Sequence, residues 1–217
     1  MKQRFYSDEK WSLSPKDIEN LSCVICGSSL PATVFSHLPQ DLKQHCMRVS
    51  AITGAMARQI PKHEIPEGLT RDEYVNALRC GSLYHDIGAW LVYNQRRLYP
   101  EAGAKFLREQ TSEGTIHPAA RCVILETVRC CREQYDGQGF PEGLVGEDIP
   151  MHAQVCAIAI ALDKYISTRQ TLFTRPARQA KRFIEQNKGT WFGPKGVQCF
   201  LQAWLEIEGK YQEWEKE

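Results

Sequence analysis

The sequence predicts an all-α fold, on three observations. No segment sustains the period-two alternation of a half-buried strand. Apolar residues recur instead at steps of three and four, as at Leu42, Cys46, Val49, Ile52, Met56 and Ile60, which line one face of a helix. Helix-start chemistry also stands ahead of the periodic stretches. Thr70 with Glu73 three positions on makes a capping-box pattern, and Pro118 suits a first helical turn.

The elements follow in order. Residues 1–38 read as an N-terminal extension, polar and then briefly apolar, and the main domain is expected to cover 39–217. The first helix runs from Gln40 to Ile60 and is broken by "PKHEIPEGLT", with two prolines and a glycine. A second runs from about Arg71 to Ile87, a third over roughly Pro100 to Glu109, and a fourth from about Pro118 to Gln134. "DGQGFPEGLVGEDIP" is a long Gly/Pro loop. "MHAQVCAIAIALDKYI" is almost wholly apolar and reads as a buried helix. Two last helices, about 176–187 and 195–214, are split by "KGTWFGP".

Composition narrows the function class. Apolar residues at 42% and charged residues at 24% are those of a globular protein with a substantial core. The net charge of +1, without a basic tail, gives no support to nucleic-acid polymers or membrane surfaces as partners. "MKQRFYSDEKW" has no signal-peptide apolar run, and no stretch reaches bilayer-spanning length, so the expected location is the cytoplasm. Nine cysteines, an odd number, are scattered along the chain. Cys46, Cys80, Cys122 and Cys156 fall in apolar helical patterns, as reduced thiols used as small core residues would. Cys23 and Cys26 form a C-x-x-C without a second pair, either half of a metal or redox site or a packed pair.

The residues that could carry chemistry are few. "SLYHDIGAW" puts His85 and Asp86 at the end of the second helix. An imidazole beside a carboxylate able to bridge two cations is a metal-binding vocabulary. Asp41 and His45 are four residues apart on one face of the first helix. Two helices so equipped could meet around a metal in a bundle core. The plainer alternative makes Asp41 a favourable charge at a helix N-terminus, His45 a packed histidine, and His85-Asp86 a helix-end hydrogen-bonding pair.

The order of motifs resembles the HD-GYP family, a branch of the HD phosphohydrolase superfamily. The matching run covers about residues 39–205: "LPQDLKQHCMRV", "YHDIG", "YPEAGAKFL", "REQYDGQGFPEGLVGEDIP", "HAQVCAIAIALDKY", "RPAR" and "GTWFGPKGVQCF". Gly139-Phe140-Pro141 stands where that family has Gly-Tyr-Pro. The resemblance implies an all-α bundle holding two or three iron or manganese ions, in which a metal-activated water attacks cyclic di-GMP.

Residue by residue, the resemblance implies metal ligands at Asp41, His45, His85 and Asp86, with His85 and Asp86 the catalytic dyad. Other family ligands align with Tyr99, Cys131, Arg132 and Ile160, and the lysine after the dyad with Ala89. His117, followed by Pro118, offers a second way to supply the imidazole that Tyr99 lacks, although "YPEAGAKFL" keeps the Pro and Gly spacing better. His117 is otherwise a helix-capping or core-edge histidine. Ile160 suits a dry core. Arg132, always protonated, would repel a metal and could instead pair with Asp86 or Asp41, or bind phosphate. With it, Gly139, Phe140 and Pro141 are the candidate substrate-binding residues. Cys131 could serve as a soft thiolate ligand. Asp163, one turn beyond Ile160, could replace the missing carboxylate only if its helix rotated.

Two readings follow. In the first the chain is a degenerate homologue that binds a cyclic dinucleotide or a signalling protein, without cofactor and without hydrolysis. In the second it is an active phosphohydrolase with a reduced site, one divalent iron or manganese held by His45, His85, Asp86 and His117. The aromatic C-terminal helix, with Trp204, Tyr211 and Trp214, could make the chain a homodimer or simply close its own core.

Overall fold

The computed structural model describes residues 30–92, 97–110, 116–169 and 176–215. Within them the secondary structure is helical, and β pairing is confined to two isolated bridges, Asp136 with Val145 and Lys188 with Phe192. The helices are α1 (Leu30–Ser36), α2 (Gln40–Ala57), α3 (Arg71–Leu83), α4 (Gly88–Leu91), α5 (Tyr99–Gln110), α6 (Pro118–Cys130), α7 (Met151–Arg169), α8 (Pro176–Gln186) and α9 (Pro194–Glu215). None of the described helices is long and apolar enough to cross a membrane.

Local chemistry sets the boundaries. Thr70 Oγ1 accepts from Glu73 N at 3.3 Å, and Glu73 Oε2 accepts from Thr70 N at 2.8 Å, so both halves of the capping box open α3. Pro118 takes the first turn of α6, and the His117 side chain caps it by accepting from Ala119 N at 3.2 Å. The α3 helix ends at Leu83, four residues earlier than its apolar pattern suggests. Tyr84 takes φ −99° and ψ 9°, and the chain turns there. His85 and Asp86 therefore lie in a turn beyond the helix, free of helical register. Likewise α6 stops at Cys130 rather than Gln134.

The core is formed chiefly by α2, α3, α6 and α7, with α9 closing it against α2 and α7. The α7 helix is its axis: Val155, Cys156, Ile158, Ala159 and Leu162 are all fully buried, as an apolar sequence on every face requires. Ser50 Oγ on α2 donates to Arg79 O on α3 at 2.9 Å. The packed region reaches back past Pro39, where the sequence suggested the domain begins. Phe35 of α1 is fully buried and meets the Tyr84 ring edge-on at 5.8 Å.

Trp204 and Tyr211 on α9 are buried in the core. The Trp214 side chain and the Cys23–Cys26 pair lie outside the described residues. The described cysteines are free thiols; all are buried except Cys122, which faces outward on α6. One glycine matters for the site. A Cβ on Gly88 would fall 1.9 Å from Tyr99 O, so only glycine lets the start of α5 lie against the turn carrying Asp86.

Candidate metal centre and adjoining cavity

His45, in the second turn of α2, faces the turn after α3. One ligand atom each from His45, His85 and Asp86 lies within 4.8 Å of the other two, and all three residues are buried. His85 Nε2 is 3.3 Å and His45 Nε2 3.9 Å from Asp86 Oδ2. The two rings meet edge-on, centroids 5.2 Å apart.

Each imidazole is oriented from behind. His45 Nδ1 lies 2.7 Å from Asp163 Oδ2, and His85 Nδ1 lies 2.7 Å from Ser82 O. Both partners only accept, so both Nδ1 atoms donate. The Nε2 atoms are then left as electron-pair donors, and neither has a hydrogen-bond partner. Two imidazole lone pairs and a carboxylate oxygen thus converge in a buried space. That arrangement calls for a proton or a cation. Burial pushes the His85 imidazole below its ordinary value despite the pull of Asp86, which disfavours the proton. The donor set, two imidazoles and a carboxylate with carboxylate and carbonyl groups behind them, fits one divalent cation.

Asp86 Oδ1, the oxygen that a carboxylate spanning two metals with both its oxygens would offer to a second one, is paired with Arg132 Nη2 at 2.7 Å. The guanidinium also lies over the Tyr99 ring, 5.5 Å from its centroid. Burial would lift the Asp86 carboxyl, but His85, Arg132 and His45 outweigh it and hold it well below the usual carboxylate range.

Arg132, Tyr99, Cys131 and Ile160 share the wall of a cavity of about 470 Å³, with Phe140 and Lys164 at other points of its lining. Its size is within the range of about 300–1,000 Å³ common for small-molecule sites. The structure thus gathers around one space the four positions that the sequence reading marked as substituted. Phe140 packs edge-on against Tyr99, centroids 6.3 Å apart. Gly139 serves the backbone: a Cβ there would lie 2.2 Å from Gln134 N. Pro141 is half-buried beside it. Glu133, 3% exposed, anchors the same loop by accepting from the N–H groups of Glu142, Gly143 and Leu144 at 2.8, 3.2 and 3.1 Å.

Two expected ligands are elsewhere. Asp41 is exposed in the first turn of α2, outside the cluster. His45 lies one turn further into the bundle, and only it reaches the space beside Asp86. His117 is exposed and occupied in capping α6, so it does not complete a four-ligand site with His45, His85 and Asp86.

Asp163 needs no helix rotation to matter. Fully buried on α7, it receives His45 Nδ1, Arg48 Nε at 2.6 Å, Arg48 Nη2 at 2.9 Å and Tyr211 Oη at 3.2 Å. Burial opposes its ionisation, but the His45 and Arg48 hydrogen bonds bring its pKa down to about 2. It holds His45 rather than replacing a ligand at Ile160. Arg48, Ser82, Glu133 and Tyr211 were also missed. Only Arg48 left a signal, three residues after His45 and so on the same helix face.

Residues 34–196 match the model of the HD domain family. A cyclic di-GMP phosphodiesterase of Thermotoga maritima is 26% identical over 181 residues, covering 79% of this chain and 47% of the relative. The cyclic di-GMP phosphodiesterase response regulator RpfG of Xanthomonas campestris is 26% identical over 173 residues, 74% of this chain and 43% of the relative. The chain thus spans less than half the length of either relative. A crystal structure of a cyclic GMP-AMP specific phosphodiesterase of Vibrio cholerae (V-cGAP3) superposes with a TM-score of 0.50 at 17% identity, over 87% of this chain and 48% of that one, a likeness of fold. On the family match and the His-Asp turn that the helices present, the chain belongs to the HD-domain family and is of the HD-GYP type.

Proposed function

We propose that this chain is a cyclic-dinucleotide-binding module on a phosphodiesterase fold, holding one divalent cation, iron or manganese, and not cleaving its ligand at a useful rate. The observation that carries the reading is the Arg132 guanidinium on Asp86 Oδ1 at 2.7 Å. Two-metal hydrolysis needs a cation on each side of the reacting phosphate, one generating the nucleophile and one steadying the leaving oxygen. Here one side is an arginine, which can bind a phosphate oxygen but cannot deliver hydroxide. When bound, the single cation would supply Lewis acidity at His45, His85 and Asp86. Arg132 would hold a phosphate by charge-assisted hydrogen bonds, and Tyr99 and Phe140 would face the rest of the ligand. Such a module would report its state to a signalling protein or to a second copy of the chain.

A second reading, a one-cation hydrolase, draws support from the two unpartnered Nε2 atoms. One experiment separates the two. The chain is purified without chelator or histidine tag, its iron, manganese and zinc are measured by elemental analysis, and cyclic di-GMP binding and cleavage are followed with each metal restored. Up to one equivalent of metal with ligand bound intact is the expected result. Turnover with one equivalent favours the hydrolase. Two equivalents with turnover would overturn the reading of Arg132.

A further inference from the structure

Arg132 belongs to two places at once. Its Nη2 closes the metal cluster by pairing with Asp86, while its side chain, 13% exposed, forms part of the cavity wall beside Tyr99. Its Nε is buried without a hydrogen-bond partner. The guanidinium is therefore held mainly by one carboxylate, the one that a cation at His45 and His85 would also use. A cation beside Oδ2 and the guanidinium on Oδ1 draw on the same carboxylate charge, and in a desolvated site they repel each other. Arg132 cannot shed its charge. To leave Asp86 it needs another anion, and its side chain borders the cavity, where one could sit.

We infer that Arg132 couples the two sites, so that a phosphate-bearing ligand in the cavity and a divalent cation at His45, His85 and Asp86 each strengthen the binding of the other. The inference rests on the proposed ligand class. The phosphate gives the planar guanidinium of Arg132 a bidentate partner and relieves Asp86 of it; the cation neutralises Asp86 and releases the guanidinium to the phosphate. Linkage makes the two effects equal in size. The Arg132–Asp86 hydrogen bond at 2.7 Å is the contact that either ligand would loosen.

Calorimetric titration of the full chain with cyclic di-GMP, and separately with inorganic phosphate, tests this with chelator present and with saturating Mn²⁺. The Kd for cyclic di-GMP is expected to fall at least about fivefold with Mn²⁺, the lower end of common coupling factors. The Kd for Mn²⁺ should fall by the same factor when cyclic di-GMP is saturating. In Arg132→Met the factor is expected to drop to about one, while Mn²⁺ alone binds more tightly because its competitor is gone. A factor unchanged in Arg132→Met overturns the inference, since the ligand would then be bridging to the cation directly. If that variant does not fold, Arg132→Lys serves instead, losing the planar fork and at least half of the coupling. Equal Kd values with and without Mn²⁺ in the unaltered chain overturn the coupling but leave the binding reading intact. No cyclic di-GMP binding in either condition overturns both. Phosphate showing the same factor assigns the coupling to the phosphate group; a factor confined to cyclic di-GMP assigns it to the whole nucleotide.

Discussion

Asp163→Asn is the sharpest probe of how His45 is held. The substitution keeps the shape but leaves one acceptor oxygen of two, so either His45 Nδ1 (on Oδ2) or Tyr211 Oη (on Oδ1) loses its acceptor, and it removes the charge under Arg48. Its cost can be worked in two ways. A carboxyl brought from 3.8 to about 2 by its neighbours stabilises the fold by about 2 kcal/mol at neutral pH. Breaking a buried ion pair costs about 3–5 kcal/mol, but the Arg48 side chain is 16% accessible and can turn toward water, so the lower end applies. About 2–3 kcal/mol lowers Tm by roughly 4–12 °C for a chain of this size. The pH dependence has a definite sign. A carboxylate with a depressed pKa contributes in full above its unfolded value and loses that contribution as pH falls through its folded value. The difference between the native chain and Asp163→Asn should therefore be constant above about pH 4 and shrink between about pH 4 and pH 2. Urea melts at pH 7, 4, 3 and 2.5 measure it. A difference under about 0.5 kcal/mol at pH 7 would refute the argument, as would one that grows in acid.

Two further outcomes follow from the same geometry. Gly139→Ala must push its Cβ into the backbone of Glu133 and Gln134, 2.2–2.5 Å away; a loss of about 1–3 kcal/mol is expected, with faster protease cleavage in the loop of residues 136–148. Mn²⁺ at a hundred times its Kd should stabilise the chain by about 2.7 kcal/mol, a rise of roughly 5–11 °C in Tm, and His45→Ala should abolish that rise; a rise that survives in His45→Ala would place the ion elsewhere.

The fold was legible because it depends on local patterns repeated many times. The apolar spacing of α2, the capping box of α3, Pro118 and the unbroken apolar run of α7 are each readable within about twenty residues. The places where the pattern misled are those where a distant contact decided. Nothing near Leu83 says that α3 must stop there; the stop turns His85 and Asp86 toward His45, forty residues away. The α1 helix looked like part of an extension because its apolar piece is short, and the ring that Phe35 meets, Tyr84, lies about fifty residues on. The site was half legible for the same reason. His45, His85 and Asp86 stand in a recognisable order, and the resemblance singled out Arg132, whose charge left Asp86, Asp41 or a phosphate open as its partner. Asp163 could not be placed, because the register of α7 against α2 is set by packing over its whole length.

The two halves of "CCREQYDGQGFP" are kept by different forces. The glycine-rich half is fixed by its own backbone: Gly139 has no room for a side chain, and Glu133 accepts from three N–H groups across the loop. That half keeps its shape whether or not a metal is near. The Cys131-Arg132 half faces Asp86, and there the constraint is charge. A buried carboxylate needs a positive partner, but which one is open: a metal held by histidines or a guanidinium meets the requirement equally well. Histidine ligands could therefore be absent at these positions without leaving Asp86 unpaired, provided that one replacement was cationic. Of the four positions where the resemblance puts further family ligands, Tyr99, Cys131 and Ile160 are neutral and Arg132 alone is charged, and it is Arg132 that makes the contact. The loop is thus evidence of the fold, and Arg132 is the residue from which the chemistry has to be argued.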